Sequence, residues 1–553
     1  MNNLPVHQAI AVGASKHPHK GKNVFSYGTA GIRCRADILD PVLYRLGLLV
    51  VLRSRAVRAT IGVVITASHN PEQDNGAKVV EPMGEMLLQT WEGYATQIAN
   101  TSDEDLGQCV QSLISELNID MALPANIFLA RDTRPSSFGL AQALIDGIQA
   151  LKGDYIDYGL LSTPQLHYMV RCQNTQGGYG NPTEHGYYSK LASAFTKVRE
   201  QQSETDESEY TGELSVDGAN GIGALKIQQM CQHLNNQLKI SVYNDGTHGQ
   251  LNDRCGADFV KVQQKPPHGM PTEEAGRKCV SLDGDADRIV YYFVDSDGVF
   301  HLLDGDKIAT LIAGYIQELL TAANLQLNMG LVQTAYANGS STQYATDVLK
   351  VPVACACTGV KHLHHRAQDF DVGVYFEANG HGTVLFSALA TEKINSASQD
   401  ERLSSDQRQA ATTLKYLQDL INETVGDAIS DMLVVECILH AKGWTMTDWN
   451  AAYTDLPNRQ LKVKVKDRRV IQTTNAERCA TTPAGLQEAI DGIVSKYNNA
   501  RSFVRPSGTE DIVRIYAEAD TQVAADSLAY EVATKVYHLA DGVGDPPAQP
   551  SSS

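Results

Sequence analysis

Short apolar, β-branched runs punctuate the chain, each stopping at a polar, turn-rich segment. Residues 61–66 (IGVVIT) run into Ser68-His69-Asn70-Pro71. Residues 213–216 (ELSV) run into a glycine-rich turn at 218–223 and then a helical pattern. Residues 288–294 and 372–376 are further apolar runs beside polar loops, and 307–320 has helical spacing between them. Strands alternating with helices predict parallel α/β layers. The C-terminal part differs: 461–466 (LKVKVK) alternates strictly, as does much of 511–518, and a helix is expected over 523–539. That pattern predicts a smaller α+β domain whose sheet has one solvated face.

Polar segments set the expected boundaries. Residues 200–210 (EQQSETDESEY) are acidic and serine-rich, 396–410 are similar, and both read as solvated linkers or loops. The end, 541–553, is a Pro/Ser/Gly tail with too little apolar surface to order itself. At 553 residues the chain exceeds one hydrophobic core, and a prior of about 150 residues per domain predicts three or four.

Composition narrows the partners. A formal charge of −18 argues against nucleic acid, whose phosphates would be repelled. It leaves room for a small phosphorylated ligand in a local island of Arg, Lys and backbone N–H groups. Ten cysteines without a C-x-x-C pair fit reduced, mostly buried thiols. No secretory signal is apparent, and no uncharged apolar run approaches the ~20 residues of a membrane span. A soluble, cytoplasmic protein with no membrane partner is expected; oligomeric state is open.

Four loops carry candidate chemistry. Thr66-Ala67-Ser68-His69-Asn70-Pro71 places a serine at a strand's C-terminal end, where α/β sheets bind ligands; a turn that merely reverses the chain is the plain alternative. No G-x-S-x-G elbow supports acyl transfer. In Asp283-Gly284-Asp285-Ala286-Asp287-Arg288, read as an extended loop, alternate side chains share a side and three carboxylates converge. Such crowding calls for a cation, and oxygen ligands select a hard one, Mg²⁺ or Ca²⁺; a solvated acidic turn is the alternative. Glu377-Ala378-Asn379-Gly380-His381-Gly382 offers groups that bond to hydroxyls, or a polar turn with a structural histidine. Arg505-Pro506-Ser507-Gly508-Thr509-Glu510, with Arg514 beyond, could wrap a phosphate, or form a simple hairpin turn.

Taken together and in order, these loops resemble the α-D-phosphohexomutase superfamily. Further motifs extend the resemblance over nearly the whole chain: Tyr27-Gly28-Thr29-Ala30-Gly31-Ile32-Arg33, Asn75-Gly76-Ala77-Lys78, Ala130-Arg131-Asp132-Thr133-Arg134, Asn252-Asp253-Arg254-Cys255-Gly256-Ala257-Asp258, Thr358-Gly359-Val360-Lys361 and Asp455-Leu456-Pro457-Asn458-Arg459. The resemblance implies an α/β protein of four domains, three related mixed α/β domains and a C-terminal α+β domain, around a central cleft. Their expected bounds are 1–190, 210–305, 306–445 and 455–542, with a disordered tail at 543–553.

It also implies roles. Ser68 carries a phosphoryl group, and Ser68, Asp283, Asp285 and Asp287 hold one Mg²⁺. Arg33, His69, Lys78 and His381 belong near the reacting groups, with either Lys78 or His381 as the base. Arg288, Thr358, Gly359, Lys361, Glu377, Ala378, Asn379, Arg505, Pro506, Ser507, Gly508, Thr509 and Arg514 bind substrate. Asn379, two residues after Glu377, matches the acetylglucosamine branch. The implied activity interconverts N-acetylglucosamine 6-phosphate and 1-phosphate through a sugar 1,6-bisphosphate, which also serves as activator, on the route to the UDP-sugar. A glucose- or mannose-phosphate mutase and a silent phosphosugar-binding protein are the alternatives.

Overall fold

A computed structural model describes residues 5–19, 21, 23–202, 208–508 and 510–549. It comprises two compact units. The first contains Met1–Gly305, Asn379–Val384 and Ile394–Thr447; the second contains Asp306–Ala378, Leu385–Lys393 and Asp448–Ser553.

In the first unit, strands β1 (Ile32–Arg35), β2 (Ile61–Ile65), β3 (Asp74–Val80), β4 (Asn126–Arg131) and β5 (Asp154–Leu160) form a sheet of order β1-β3-β2-β4-β5. The apolar run at 61–66 is its centre: every residue of β2 is buried, as the middle of a covered sheet demands. A second sheet has order β10-β9-β8-β6-β7, from β6 (Glu213–Asp217), β7 (Lys239–Tyr243), β8 (Cys279–Leu282), β9 (Ile289–Val294) and β10 (Phe300–Leu303). Helices Asp40–Val57 and Ser137–Ala150 pack the first sheet's main core, with Val42, Leu46, Leu49, Leu144 and Ile148 fully or almost fully buried. Each such side chain contributes roughly 1.5–3 kcal/mol of transfer free energy.

The sheets are mixed rather than purely parallel. β2 runs parallel to β4 but antiparallel to β3; β8 runs parallel to β6 but antiparallel to β9. The reason is connection length. Residues 66–73 and 283–288 are too few for a helical crossover, so each strand turns back on its neighbour. Two of the four loops singled out by sequence are these reversals.

The second unit has its own sheet. Strands β11 (Met329–Thr334), β12 (Val353–Ala356) and β13 (Val372–Phe376) have order β12-β11-β13, and β11 is parallel to both neighbours; β14 (Gly382–Phe386) follows in the chain. The C-terminal region holds β15 (Asn458–Lys464), a hairpin of β16 (Gln472–Thr474) and β17 (Cys479–Thr482), then β18 (Arg501–Pro506) and β19 (Ile512–Glu518), with sheet order β15-β19-β18. Helix Gln522–Leu539 covers one face through Leu528, Val532 and Val536. The expected alternation is visible: Val463 and Val465 are buried while Lys462 and Lys464 are exposed.

One linker expectation is corrected. Residues 396–410 fall largely in helices Ala388–Gln399 and Ser405–Leu420. Their polarity misleads because Ser404 and Gln407 form a reciprocal capping box that nucleates the second helix. In the acidic stretch 200–210, residues 203–207 lie outside the described residues. Near the C-terminus, Val543 N donates to Lys464 O at 2.9 Å and Gly544 O accepts from the Tyr537 hydroxyl at 2.7 Å; residues 550–553 lie outside the description.

Candidate active site

The first unit gathers Arg33, Ser68, His69, Lys78, Asp283, Asp285, Asp287, Arg288, Asn379 and His381. Ser68 follows β2 in a left-handed conformation, φ 52°, and is fully buried. A non-glycine residue there is strained and needs support from its surroundings. Its amide donates to Thr66 Oγ1 at 3.0 Å, and its carbonyl accepts from Arg134 Nη2 at 2.9 Å and Asn252 Nδ2 at 2.8 Å. Arg134 also donates to the carbonyls of Asn70, Pro71 and Asp74. Its own charge is balanced by Asp132, 3.0 Å from Nε, and both side chains are fully buried. One guanidinium, with five donors in a fixed fork, thus holds the whole serine loop.

Ser68 Oγ donates to Asp283 Oδ2 at 2.6 Å. The metal loop is not extended. It is a tight turn: Ala286 has φ 59° and its amide donates to Asp283 O. The three carboxylates still converge, with ligand atoms within 4.8 Å of one another. Asp283 Oδ1 accepts from the amides of Asp287 and Arg288, both at 3.1 Å. A Cβ at Gly284 would stand 2.6 Å from Ser68 O, so only glycine lets the two loops approach this closely.

Charge in this pocket is unbalanced in a telling way. Asp283 has its carboxyl pushed well above the usual range by burial and then by Asp287 and Asp285. Lys78, carried by β3, donates from Nζ to Asp285 Oδ2 at 2.6 Å and Asp287 Oδ2 at 2.5 Å. Burial works against its charge, but Asp285 and Asp287 hold its pKa above the ordinary value. Oδ1 of Asp285 and Oδ1 of Asp287 are buried without a hydrogen bond. Three buried carboxylates, an ammonium among them and two oxygens without a hydrogen bond fit a hard divalent cation such as Mg²⁺.

His381 Nδ1 lies 3.2 Å from Asp287 Oδ1, and its Nε2 is buried without a hydrogen bond. Asn379 Oδ1 accepts from the His381 amide at 3.0 Å. Gly380 between them has φ 86°, and a Cβ there would sit 1.8 Å from Ile289 O. His69 is driven to a pKa of about 2, first by Arg288, then by burial and Arg33, so its imidazole stays neutral. Arg288 Nε is 3.8 Å from both Asp283 Oδ2 and Asp287 Oδ1. Arg33, on β1, donates from Nε to Ala30 O.

The second unit gathers Thr358, Gly359, Lys361, Glu377, Ala378, Arg505, Pro506, Ser507, Gly508 and Arg514; Thr509 lies outside the described residues. Glu377 Oε1, just beyond β13, accepts from Gly359 N at 3.1 Å. Lys361 is buried in the first turn of helix Val360–Ala367. Arg505 on β18 stands directly opposite Arg514 on β19. Like charges facing each other across a ladder are destabilising unless an anion joins them. Part of that anion is internal: Glu477 Oε1 lies 3.4 Å from Arg505 Nε, while its Oε2 accepts from Thr358 N at 2.9 Å and Thr358 Oγ1 at 2.5 Å. Glu477 ends a run of three left-handed residues, Asn475, Ala476 and Glu477, with φ of 52°, 53° and 67°.

Sequence reasoning did not assign roles to Arg134, Asn252 or Glu477. The first two stood inside quoted motifs, but nothing local says whose carbonyls a distant side chain will hold. Glu477 carried no signal.

A serine, a divalent-cation site and an arginine cradle on this architecture define a member of the α-D-phosphohexomutase superfamily. Family models for phosphoacetylglucosamine mutase AMG1 domains II and III match residues 180–290 and 304–444. Phosphoglucomutase/phosphomannomutase models match the α/β/α domain I at 49–106 and 97–179 and the C-terminal domain at 461–535. The human phosphoacetylglucosamine mutase is 55% identical over 539 residues, covering 98% of each chain. A crystal structure of Aspergillus fumigatus N-acetylphosphoglucosamine mutase in complex with GlcNAc-6P and magnesium is 48% identical, covers 97% of this chain and 100% of its own, and superposes with a TM-score of 0.92. A serine-to-alanine variant of that mutase in complex with glucose 1,6-bisphosphate has 48% identity, 97% and 99% coverage and a TM-score of 0.90. The chain belongs to the phosphoacetylglucosamine mutase family. No helix among the described residues is long and apolar enough to cross a membrane, and all ten cysteines are free thiols.

Proposed function

We propose that the protein interconverts N-acetylglucosamine 6-phosphate and N-acetylglucosamine 1-phosphate, with Ser68 as the phosphoryl carrier and a sugar 1,6-bisphosphate as intermediate. The observation that carries this reading is the Ser68 hydroxyl, held 2.6 Å from a carboxylate of a three-aspartate cluster that suits Mg²⁺. Asp283, Asp285 and Asp287, with the phosphate on Ser68, would hold that ion; when bound it supplies positive charge against the phosphoryl oxygens.

The residues of the chain divide the remaining work. Transfer between Ser68 and a sugar hydroxyl needs in-line placement and charge neutralisation more than covalent chemistry. Arg33, Lys78 and Arg288 ring the acidic cluster with positive charge. Nε2 of His381 is buried without a hydrogen bond and accepts the proton of the attacking hydroxyl; His69 Nδ1 is also without one, but the cations around it make that ring a poor base. Lys78 is already committed to two carboxylates and acts as a fixed cation. Glu377 and Asn379 bind sugar hydroxyls, and Thr358, Gly359, Lys361 and Ala378 also bind substrate. The phosphate that is not reacting goes to Arg505 and Arg514, with Pro506, Ser507, Gly508 and Thr509 as the loop around it. Because the bisphosphate must turn end over end between transfers, that cradle has to recognise phosphate rather than one sugar carbon. Guanidinium forks and hydroxyls meet this requirement.

The four-domain division at 1–190, 210–305, 306–445 and 455–542 belongs to the same reading. So does a reduced, cytoplasmic setting, supported by the free thiols, with small phosphosugars as partners and a product that feeds UDP-N-acetylglucosamine synthesis.

Peptide mapping by mass spectrometry tests the carrier, and a substrate panel tests the sugar. We expect phosphate on the Ser68 peptide, loss of turnover in Ser68→Ala, and faster turnover of N-acetylglucosamine phosphates than of glucose or mannose phosphates. Near-normal activity in Ser68→Ala would refute the serine route.

A further inference from the structure

The metal cluster has a supporting contact from outside its own loop. Helix Thr163–Asn174 begins against Asp285: Thr163 Oγ1 donates to Asp285 Oδ2 at 2.6 Å, and Thr163 N donates to Asp285 O at 3.1 Å. Both residues are fully buried. The first amides of a helix have no partner within it, and here one is satisfied by the metal loop's own carbonyl. The hydroxyl is not needed to cap the helix. Ser162 already does so, accepting from Gln165 N while Gln165 Oε1 accepts from the Ser162 amide.

The two oxygens of Asp285 therefore differ. Oδ2 takes hydrogen bonds from Thr163 and from Lys78; Oδ1 is buried with none. A carboxylate held by Lys78 alone could rotate about its Cβ–Cγ bond and exchange its oxygens, because a lysine ammonium sets no plane. The second, short bond from a helix terminus removes that freedom.

We propose that Thr163 is a positioning residue for the metal centre: its hydroxyl locks Asp285 through Oδ2 and reserves Oδ1 for Mg²⁺. This rests on the reading of Asp283, Asp285 and Asp287 as the metal ligands. Groups that orient a metal's ligands typically matter 10- to 100-fold in affinity. Thr163→Val keeps the shape and removes the hydroxyl, Thr163→Ala is a second hydroxyl-free variant, and Thr163→Ser restores the donor.

The test is calorimetric titration of MgCl₂ into the full-length protein after EDTA treatment, which reads binding without turnover. Thr163→Val and Thr163→Ala should bind Mg²⁺ about 10- to 100-fold more weakly than the wild type, with Thr163→Ser close to wild type. At saturating Mg²⁺ the KM for the phosphosugar should stay near its wild-type value. Wild-type Mg²⁺ affinity in either hydroxyl-free variant overturns the proposal. Equal weakening in Thr163→Ser also overturns it, because packing rather than hydrogen bonding would then be at work. Should the wild type itself bind no Mg²⁺, the metal reading fails first and this inference with it.

Discussion

The two units carry opposite electrostatic problems and meet them in opposite ways. In the first, three carboxylates crowd together and an ammonium, Lys78, lies between two of them. In the second, two guanidinium groups face each other and a carboxylate, Glu477, lies against one of them. Each site supplies from its own chain a group with the charge of the ligand it suits. The two differ in depth. The Asp285 and Asp287 side chains are 0% and 3% exposed and Lys78 is 12% exposed, whereas Arg505 and Glu477 are each 17% exposed. A deeply buried pair cannot be broken cheaply, since an unpaired charge would remain. A pair nearer solvent exchanges partners at lower cost. The acidic site therefore reads as a fixed scaffold and the basic one as a site whose internal anion gives way.

Removing the internal cation should have the largest effect. Lys78→Met leaves Asp285 and Asp287 without their ammonium, and the metal-free protein should lose about 3–5 kcal/mol of stability. Urea unfolding with and without Mg²⁺ checks this, and Mg²⁺ should recover more stability in the variant than in the wild type. An unchanged unfolding midpoint would break the comparison. Next comes the cradle. Arg514→Ala should raise KM for the 1-phosphate and the 6-phosphate alike by roughly 10- to 100-fold, as expected for a charged hydrogen bond of about 1.5–3 kcal/mol. A rise for one substrate only would mean that the cradle does not serve both ends. The smallest effect is the most discriminating. Glu477→Gln should lower KM for both phosphosugars by about threefold to fivefold, the scale of a partly exposed ion pair. A higher KM would show that Glu477 holds the substrate rather than competing with it.

How far the fold was legible depended on where its information sits. Apolar runs at 61–66, 213–216, 288–294 and 372–376 are strands, because a buried strand advertises itself by β-branched residues bounded by turn formers. Strand direction was not visible in periodicity; it follows from the short reversals at 66–73 and 283–288. The helices across 396–410 were hidden because a capping serine and a linker serine look alike until a glutamine three residues on answers it. At the site, the reacting groups were legible as dense polar loops. The supports were not: Arg134 lies 66 residues from Ser68 and Asn252 lies 184 away, and Thr163 is an ordinary helix-start threonine until Asp285 is placed beside it. A side chain's reach across the fold is a tertiary fact.

The backbone angle at Ser68 restricts which alcohol can stand there. Asparagine and aspartate visit positive φ with little strain, but a β-branched residue at φ 52° is a genuine outlier. Threonine, a chemically comparable hydroxyl, would meet steric opposition before its reactivity mattered. The requirement for serine is thus stereochemical first, set by a loop shape that Arg134 and Asn252 enforce.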